Sequence, residues 1–346
     1  MGAIVVTGAA GYLGSWVVAE ALRMGHAVHG TVRDLANHMK IGHLLELGQQ
    51  YQGRLKLFEA DLLREGSFDA AMENAEYIIH TASPYVRAKL EDPQAEIVDP
   101  AVEGTRNVLV SATRCESIRR IVVTSSIAAM TGSLQDTYSQ PDGQLEESHW
   151  NPTSTLQNDP YSYAKTQAER TAWDLSRSQD RWDLVTINPG AIFGPSLSKR
   201  SDAESVKIMM QFIQGAFATG VPALHLGVVD VRDVAAAHVQ AVLNPDAVGR
   251  YLLVNETQSL LRLADIIRDV IPKQQKNLPR RELPKWLIWL VAPAIGMSRY
   301  YVKTNVGFPV SFNAMRSVAD LGVDYRSIST TLRDHIEQLQ RDGLVT

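Results

Sequence analysis

Cysteine is almost absent from this chain. One thiol, Cys115, stands among 346 residues, which excludes an intrachain disulfide and any cysteine-held zinc or iron–sulfur centre. The same scarcity points to a reducing compartment. A basic excess is lacking as well: 34 Lys+Arg against 38 Asp+Glu leave a net charge of −4. Nothing therefore drives the counterion release on which nucleic-acid binding depends. Long apolar runs are missing too, since 286–292 is closed by Pro293, far short of the roughly 20 residues of a membrane helix. A strand-like run begins at Ala3 with no basic region before it, so no secretory leader is expected, and Val6 stands where a myristoylation signal needs Ser or Thr. We expect a cytoplasmic protein with no nucleic-acid partner and no membrane span, a monomer or homodimer.

Present instead is an ordinary globular composition, 45% hydrophobic and 21% charged, long enough for two domains. Short β-branched runs at 3–7, 27–32, 55–60, 77–81, 120–125 and 184–188 alternate with amphipathic stretches at 12–24, 67–73, 101–114 and 161–178. Strand–helix–strand repetition of this kind means parallel strands with right-handed crossovers, covered on both faces. The expected fold is α/β, a doubly wound parallel sheet. After Asn188 the pattern changes: helices are expected at 204–219, 263–271 and 327–342, a polar linker at 273–284, and a return to the main domain over 228–243. These divide the chain into a nucleotide-binding domain, 1–188 plus 227–255, and a smaller, mostly helical C-terminal lobe, 189–226 and 256–346. The polar stretch 132–160 is long enough to suggest a functional loop.

Gly8-Ala-Ala-Gly11-Tyr12-Leu13-Gly14 joins the first strand to the first helix. Glycines there let the backbone turn sharply and approach a diphosphate, whose charge sits at the helix N-terminus. The second strand ends in Arg33-Asp34. A cation at that place suits the 2′-phosphate of NADP, whereas a carboxylate would suit NAD. Lys40 adds a second charge, and Asp34 is expected to face away, towards the next helix. Asp61-Leu62, after the third strand, suits an adenine amino group and ring. In Tyr161-Ser-Tyr163-Ala-Lys165 the outer residues are i and i+4 and share a helix face. An ammonium beside a phenol stabilises the phenolate, and a tyrosine so tuned can protonate a carbonyl oxygen. Tyr163, on the other side, reads as packing. Ser125 and Ser126 end a buried strand where open α/β sheets bind ligands.

Together with His80-Thr-Ala82-Ser-Pro84, Asn188-Pro189-Gly190 and Val229-Asp-Val-Arg-Asp233, these motifs occur in the order found in extended short-chain dehydrogenases/reductases. More narrowly the chain resembles the dihydroflavonol reductase, cinnamoyl-CoA reductase and yeast-type ketone reductase group over residues 1–195, and only loosely beyond. The resemblance implies a Rossmann domain and a catalytic triad of Ser126, Tyr161 and Lys165. It also implies NADP(H) held by Gly8, Gly11, Tyr12, Leu13, Gly14, Arg33, Lys40, Asp61, Leu62, Tyr161 and Lys165. Ala82 would line the cofactor pocket and Pro189 lie beside the nicotinamide. Two departures mean that neither plant substrate is to be assumed: Thr131 stands where the flavonoid enzymes carry Asn, and Asp159-Pro160 where cinnamoyl-CoA reductases carry Asn-Trp.

The expected function is NADPH-dependent reduction of a small-molecule aldehyde or ketone, with Tyr161 as proton donor. The alternatives are a nucleotide-sugar epimerase or dehydratase, a hydroxysteroid dehydrogenase-like enzyme, or a non-catalytic NADP-sensing protein. Ile127-Ala128 after Ser126, where dehydratases place Asp-Glu, counts against the dehydratase branch. His80 reads as a satisfied core histidine, Trp286 and Trp289 as core packing, and 147–150 as a rim of the pocket. No metal-ligand spacing is found.

Overall fold

In a computed structural model, which describes residues 2–83, 91–140, 143–271 and 276–345, the β-branched runs build one large sheet. Pro84 and Pro272 lie outside the described residues. The first half alternates β1 (Ala3–Thr7), α1 (Tyr12–Arg23), β2 (Val28–Val32), α2 (His38–Gln50), β3 (Leu55–Glu59), α3 (Asp69–Met72), β4 (Ala75–His80), α4 (Asp99–Arg114) and β5 (Arg120–Thr124). After the two-residue β6 (Gln144–Leu145) come α5 (Pro160–Arg177), β7 (Asp183–Pro189) and β8 (Ala191–Phe193). The chain continues through α6 (Glu204–Gln214), β9 (Val221–Pro222), β10 (His225–Asp230), α7 (Val231–Leu243) and β11 (Gly249–Leu253).

Seven strands pair in the order β11-β7-β5-β4-β1-β2-β3, every neighbour parallel. The reversal of order beside β1 opens a crevice at the strands' C-terminal ends, where such sheets bind ligands. All five residues of β1 are buried, as a strand covered on both faces requires. One apolar layer, including Val17, Val18, Leu22 and Val239, covers one face; another, including Phe68, Leu109, Ala112 and Trp182, covers the opposite face.

The remainder consists of β12 (Glu256–Ser259), α8 (Leu260–Val270), β13 (Glu282–Leu283), α9 (Lys285–Val291), α10 (Arg299–Asn305), β14 (Ser311–Phe312), α11 (Met315–Leu321) and α12 (Ile328–Arg341). β10 lies outside the large sheet. It pairs with β8 and β12 in a three-stranded sheet, and buried Asp230 at its end accepts from Thr331 of α12 at 2.8 Å.

Several local expectations shift. α2 is a full helix that apolar periodicity did not mark, because Gly42, Gly48 and polar residues dilute its face; only Ile41 and Leu44 are buried. The helix expected at 204–219 ends at Gln214, where Gly215 takes φ 87° and caps it. The stretch read as a linker contains β13, which pairs with β9. Trp286 and Trp289 are not core: they are 68% and 43% exposed. α9 instead buries Ile288, which packs with Ala292, four residues on. No helix among the described residues is long and apolar enough to cross a membrane.

Candidate active site

The glycine turn is shaped by contacts that a side chain would break. Gly8 has φ +67°, and a Cβ there would lie 2.9 Å from the Cα of Ala82. A Cβ at Gly14 would lie 2.3 Å from the Gly8 carbonyl oxygen. Ala82 is held by its own N–H, which donates to Thr7 Oγ1 at 3.2 Å. The turn therefore packs against the end of β4 while Gly11 faces solvent. No acidic side chain lies in the first turn of α1, so the positive end of that helix is unopposed. A dinucleotide diphosphate fits this cradle.

Tyr12 offers the cradle only its backbone. Its hydroxyl donates to the Gly194 carbonyl at 2.6 Å, and burial, with Asp230 nearby, raises its pKa well above the usual value. Leu13 packs on the core beneath α1. Arg33 is exposed, and its guanidinium has no hydrogen-bond or ion-pair partner among the described residues. Asp34 turns towards the following helix, accepting from the Ala36 N–H at 2.9 Å. Lys40 is exposed in the first turn of α2. Asp61 is exposed and accepts from the Leu63 N–H at 2.8 Å. Leu62 packs against Gly104 of α4 and anchors through its carbonyl to Asn107.

A third cation enters this region without any signal in the sequence. Arg200, beyond β8, donates to the Ala10 carbonyl of the glycine turn at 3.2 Å. Burial opposes ionisation of its partner Asp202, yet the hydrogen bonds and charge of Arg200, with Lys40 nearby, hold that carboxyl below the usual range.

At the other side of the crevice, β5 ends in two serines with opposite fates. Ser125 is buried and donates to Glu169 at 2.5 Å. Ser126 is half-buried, and its Oγ accepts from the Ala128 N–H at 3.1 Å, starting the short 3-10 turn Ile127–Ala129. α5 packs against that turn. Asp159 caps α5 by accepting from Ser162, and Pro160 occupies its first position, where a missing N–H costs nothing. That start places Tyr161 and Lys165 one turn apart, with Nζ 6.0 Å from the Tyr161 ring centre. Tyr161 and Tyr163 both pack on Ile97, Val98, Ala101 and Ala164.

Lys165 donates to Ser83 at 3.0 Å. Burial pushes its pKa down to about 8, against the opposing charge of Glu169. His80 is buried, exchanges a 2.7 Å hydrogen bond with Thr7, and is pushed to about 3 by burial and then by Lys165. It is a neutral core histidine. Pro189 ends β7, buried and level with Leu253.

The groups hidden behind the serines went unread in the sequence. Fully buried Glu169 accepts from Ser125, from Asn188 at 2.8 Å and from Arg250 Nε at 2.7 Å. Arg250 also donates to the Glu147 and His149 carbonyls and lies 4.1 Å over the Trp150 ring. Residues 147–150 are thereby pinned to β11. Glu169 had a signal, since it follows Lys165 by four on the same helix face. Arg250 had none. Among the described residues no three His, Cys, Asp or Glu side chains are grouped to hold a metal ion.

The profile of the NAD dependent epimerase/dehydratase family matches residues 4–255. A cinnamoyl-CoA reductase of Medicago truncatula is 33% identical over 97% of this chain and 95% of its own length. A dihydroflavonol 4-reductase of Gerbera hybrida is 32% identical over 78% of this chain and 73% of its own. Among solved structures, Gre2 of Candida albicans in complex with NADPH superposes with a TM-score of 0.80 at 28% identity, covering 99% of each chain.

Proposed function

The chain belongs to the NAD dependent epimerase/dehydratase family, within the extended short-chain dehydrogenases/reductases, and from that premise we propose that it is an NADPH-dependent carbonyl reductase converting an aldehyde or ketone to an alcohol. The observation that carries this reading is the pairing of Tyr161 with Lys165 on one turn of α5, packed against the turn that Ser126 begins. The relatives named reductases, and the superposed NADPH complex, support it.

NADPH supplies a hydride to the carbonyl carbon when bound. Tyr161 gives its hydroxyl proton to the carbonyl oxygen. The Lys165 ammonium lowers the cost of the phenolate left behind, at about 1.4 kcal/mol per unit of pKa shift. The Ser126 oxygen accepts from Ala128, so its own hydroxyl proton remains to be donated to the developing oxyanion. Gly8, Gly11 and Gly14, with the backbone of Tyr12 and Leu13, hold the diphosphate. Arg33 and Lys40 take the 2′-phosphate, Asp61 and Leu62 the adenine. Ala82 and Pro189 border the nicotinamide, and the lobe of 189–226 and 256–346 supplies the substrate pocket.

The test is absorbance-followed NADPH oxidation across aldehydes, α-keto esters, aryl ketones and flavonoids. Oxidation with some of these carbonyls, and much less with NADH, is the expected result. Tight NADPH binding without turnover of any carbonyl would identify a cofactor sensor instead. Interconversion of a nucleotide sugar without net NADPH consumption would identify an epimerase.

A further inference from the structure

Helix α9 has two apolar faces and uses one of them. Ile288 packs inward with Ala292, Val302 and Val306. Trp286, Trp289 and Leu290 stand on the other side of the helix, exposed to solvent. Ile295 and Tyr300 add exposed apolar surface on the turn and helix that follow. Five of the twelve exposed large apolar side chains among the described residues thus fall between 286 and 300, so this is a patch and not scatter.

The segment that carries it is basic. Within 276–303 Lys276, Arg280, Arg281, Lys285, Arg299 and Lys303 are all exposed, against one carboxylate, Glu282, in a chain whose net charge is −4. The Arg299 guanidinium lies 4.3 Å over the Trp289 ring, and Lys285 donates to the Lys303 carbonyl at 2.9 Å. Cations and indoles are therefore interleaved on one small unit.

We propose that this face docks on the surface of an anionic lipid bilayer, with Trp286, Trp289 and Leu290 entering the headgroup boundary and the cations meeting lipid phosphates and carboxylates. Indole rings with Lys and Arg beside them are the composition of membrane-interface segments. A second copy of the same face is disfavoured, because a two-fold contact would set like charges against each other. Buried Asn305 of α10 accepts from the Leu134 N–H at 3.0 Å, which ties this unit to the loop that follows Ser126. The docking itself does not depend on the reductase reading.

The test is co-sedimentation of the full chain with phosphatidylcholine vesicles, with and without phosphatidylserine, at low and high salt. Binding is expected only with phosphatidylserine and is weakened by salt, since surface charge is screened. A Trp286→Ser, Leu290→Ser double variant should bind ~10-fold more weakly or worse while melting at the same temperature as the parent. A second variant, Arg280→Gln with Arg281→Gln, should lose binding in the same direction without touching the apolar face. Equal sedimentation with both vesicle types, or retention of binding by both variants, overturns the proposal. So does a stable dimer that Trp286→Ser breaks, which would assign the face to a second copy of the chain.

Discussion

Around Glu169 the fold takes charge inside, whereas around Trp286 it leaves indole outside. Glu169 and Arg250 are both buried and pair at 2.7 Å, with Ser125, Asn188 and backbone carbonyls completing their hydrogen bonds. Trp286 keeps 68% of its surface exposed on a helix that already has an inward face. Both run against the ordinary partition of side chains. The first is satisfied internally, so its role is to fix geometry: it ties the end of β5, α5, β7 and the 147–150 loop to one ion pair. The second is unsatisfied internally, so its role points outward.

The contrast breaks first at stability. Arg250→Leu leaves the Glu169 carboxylate buried without its cation and should cost about 3–5 kcal/mol in urea unfolding. Trp286→Ser should change stability by less than about 0.5 kcal/mol, as surface substitutions do. Similar costs for the two would mean that the exposed indole carries hidden structure, or that the buried pair carries little.

Chemistry sharpens the same contrast within the buried region. Tyr161→Phe keeps the ring and its packing but removes the proton donor, so turnover should fall ~100-fold or more while NADPH still binds. The two serines should then separate by kind of damage. Ser126→Ala should lower turnover by about 100-fold at unchanged melting temperature, because it deletes a donor to the oxyanion. Ser125→Ala should leave turnover close to normal and cost about 1–2 kcal/mol of stability, having removed a hydrogen bond to a buried carboxylate. Kinetics and melting of both variants decide it, and a reversal would move the reacting hydroxyl to Ser125.

What was legible in the sequence follows from distance along the chain. The turn Gly8–Gly14 and the pair Tyr161–Lys165 are set by one strand–helix joint and one helical turn, so spacing alone displays them. Arg200 reaches Ala10, and Arg250 reaches Glu169, only after distant parts of the chain have folded together. Their partners are chosen by topology, and no local pattern encodes that. Trp286 and Trp289 misled for a different reason: spacing of three marks one helix face but not which face is buried, and Ile288 with Ala292 took the inside. α2 escaped because a helix with two buried residues and two internal glycines has almost no apolar period to detect.

A smaller effect is expected at the cofactor end. The guanidinium of Arg33 has no protein partner among the described residues, and Asp34 is turned to Ala36, so the cation is available to a 2′-phosphate. One charge-assisted hydrogen bond is worth roughly 1.5–3 kcal/mol. Arg33→Ala should therefore weaken NADPH by ~10–100-fold and NADH hardly at all, with the gap narrowing as salt is raised. Direct titration of both cofactors measures it, and equal weakening of the two would remove Arg33 from the phosphate site.

The smallest expected effect is a pH limb set by Lys165. Burial lowers its pKa to about 8 from the ordinary 10.5. As pH rises through about 8 the ammonium is lost, the phenolate of Tyr161 loses its stabilising charge, and kcat/KM should fall. Stability should move the other way. Between about 8 and 10.5 the unfolded chain holds this proton and the folded chain does not, so this group makes folding more favourable as pH climbs across that window. Opposite slopes of activity and stability in one pH range are what a desolvated lysine gives, and acid-denaturing carboxylates do not imitate them. Lys165→Arg keeps a cation that does not titrate there, so its rate should be lower but its alkaline limb should disappear. Persistence of the limb in that variant would assign it to another group and leave Lys165 with a merely positional role.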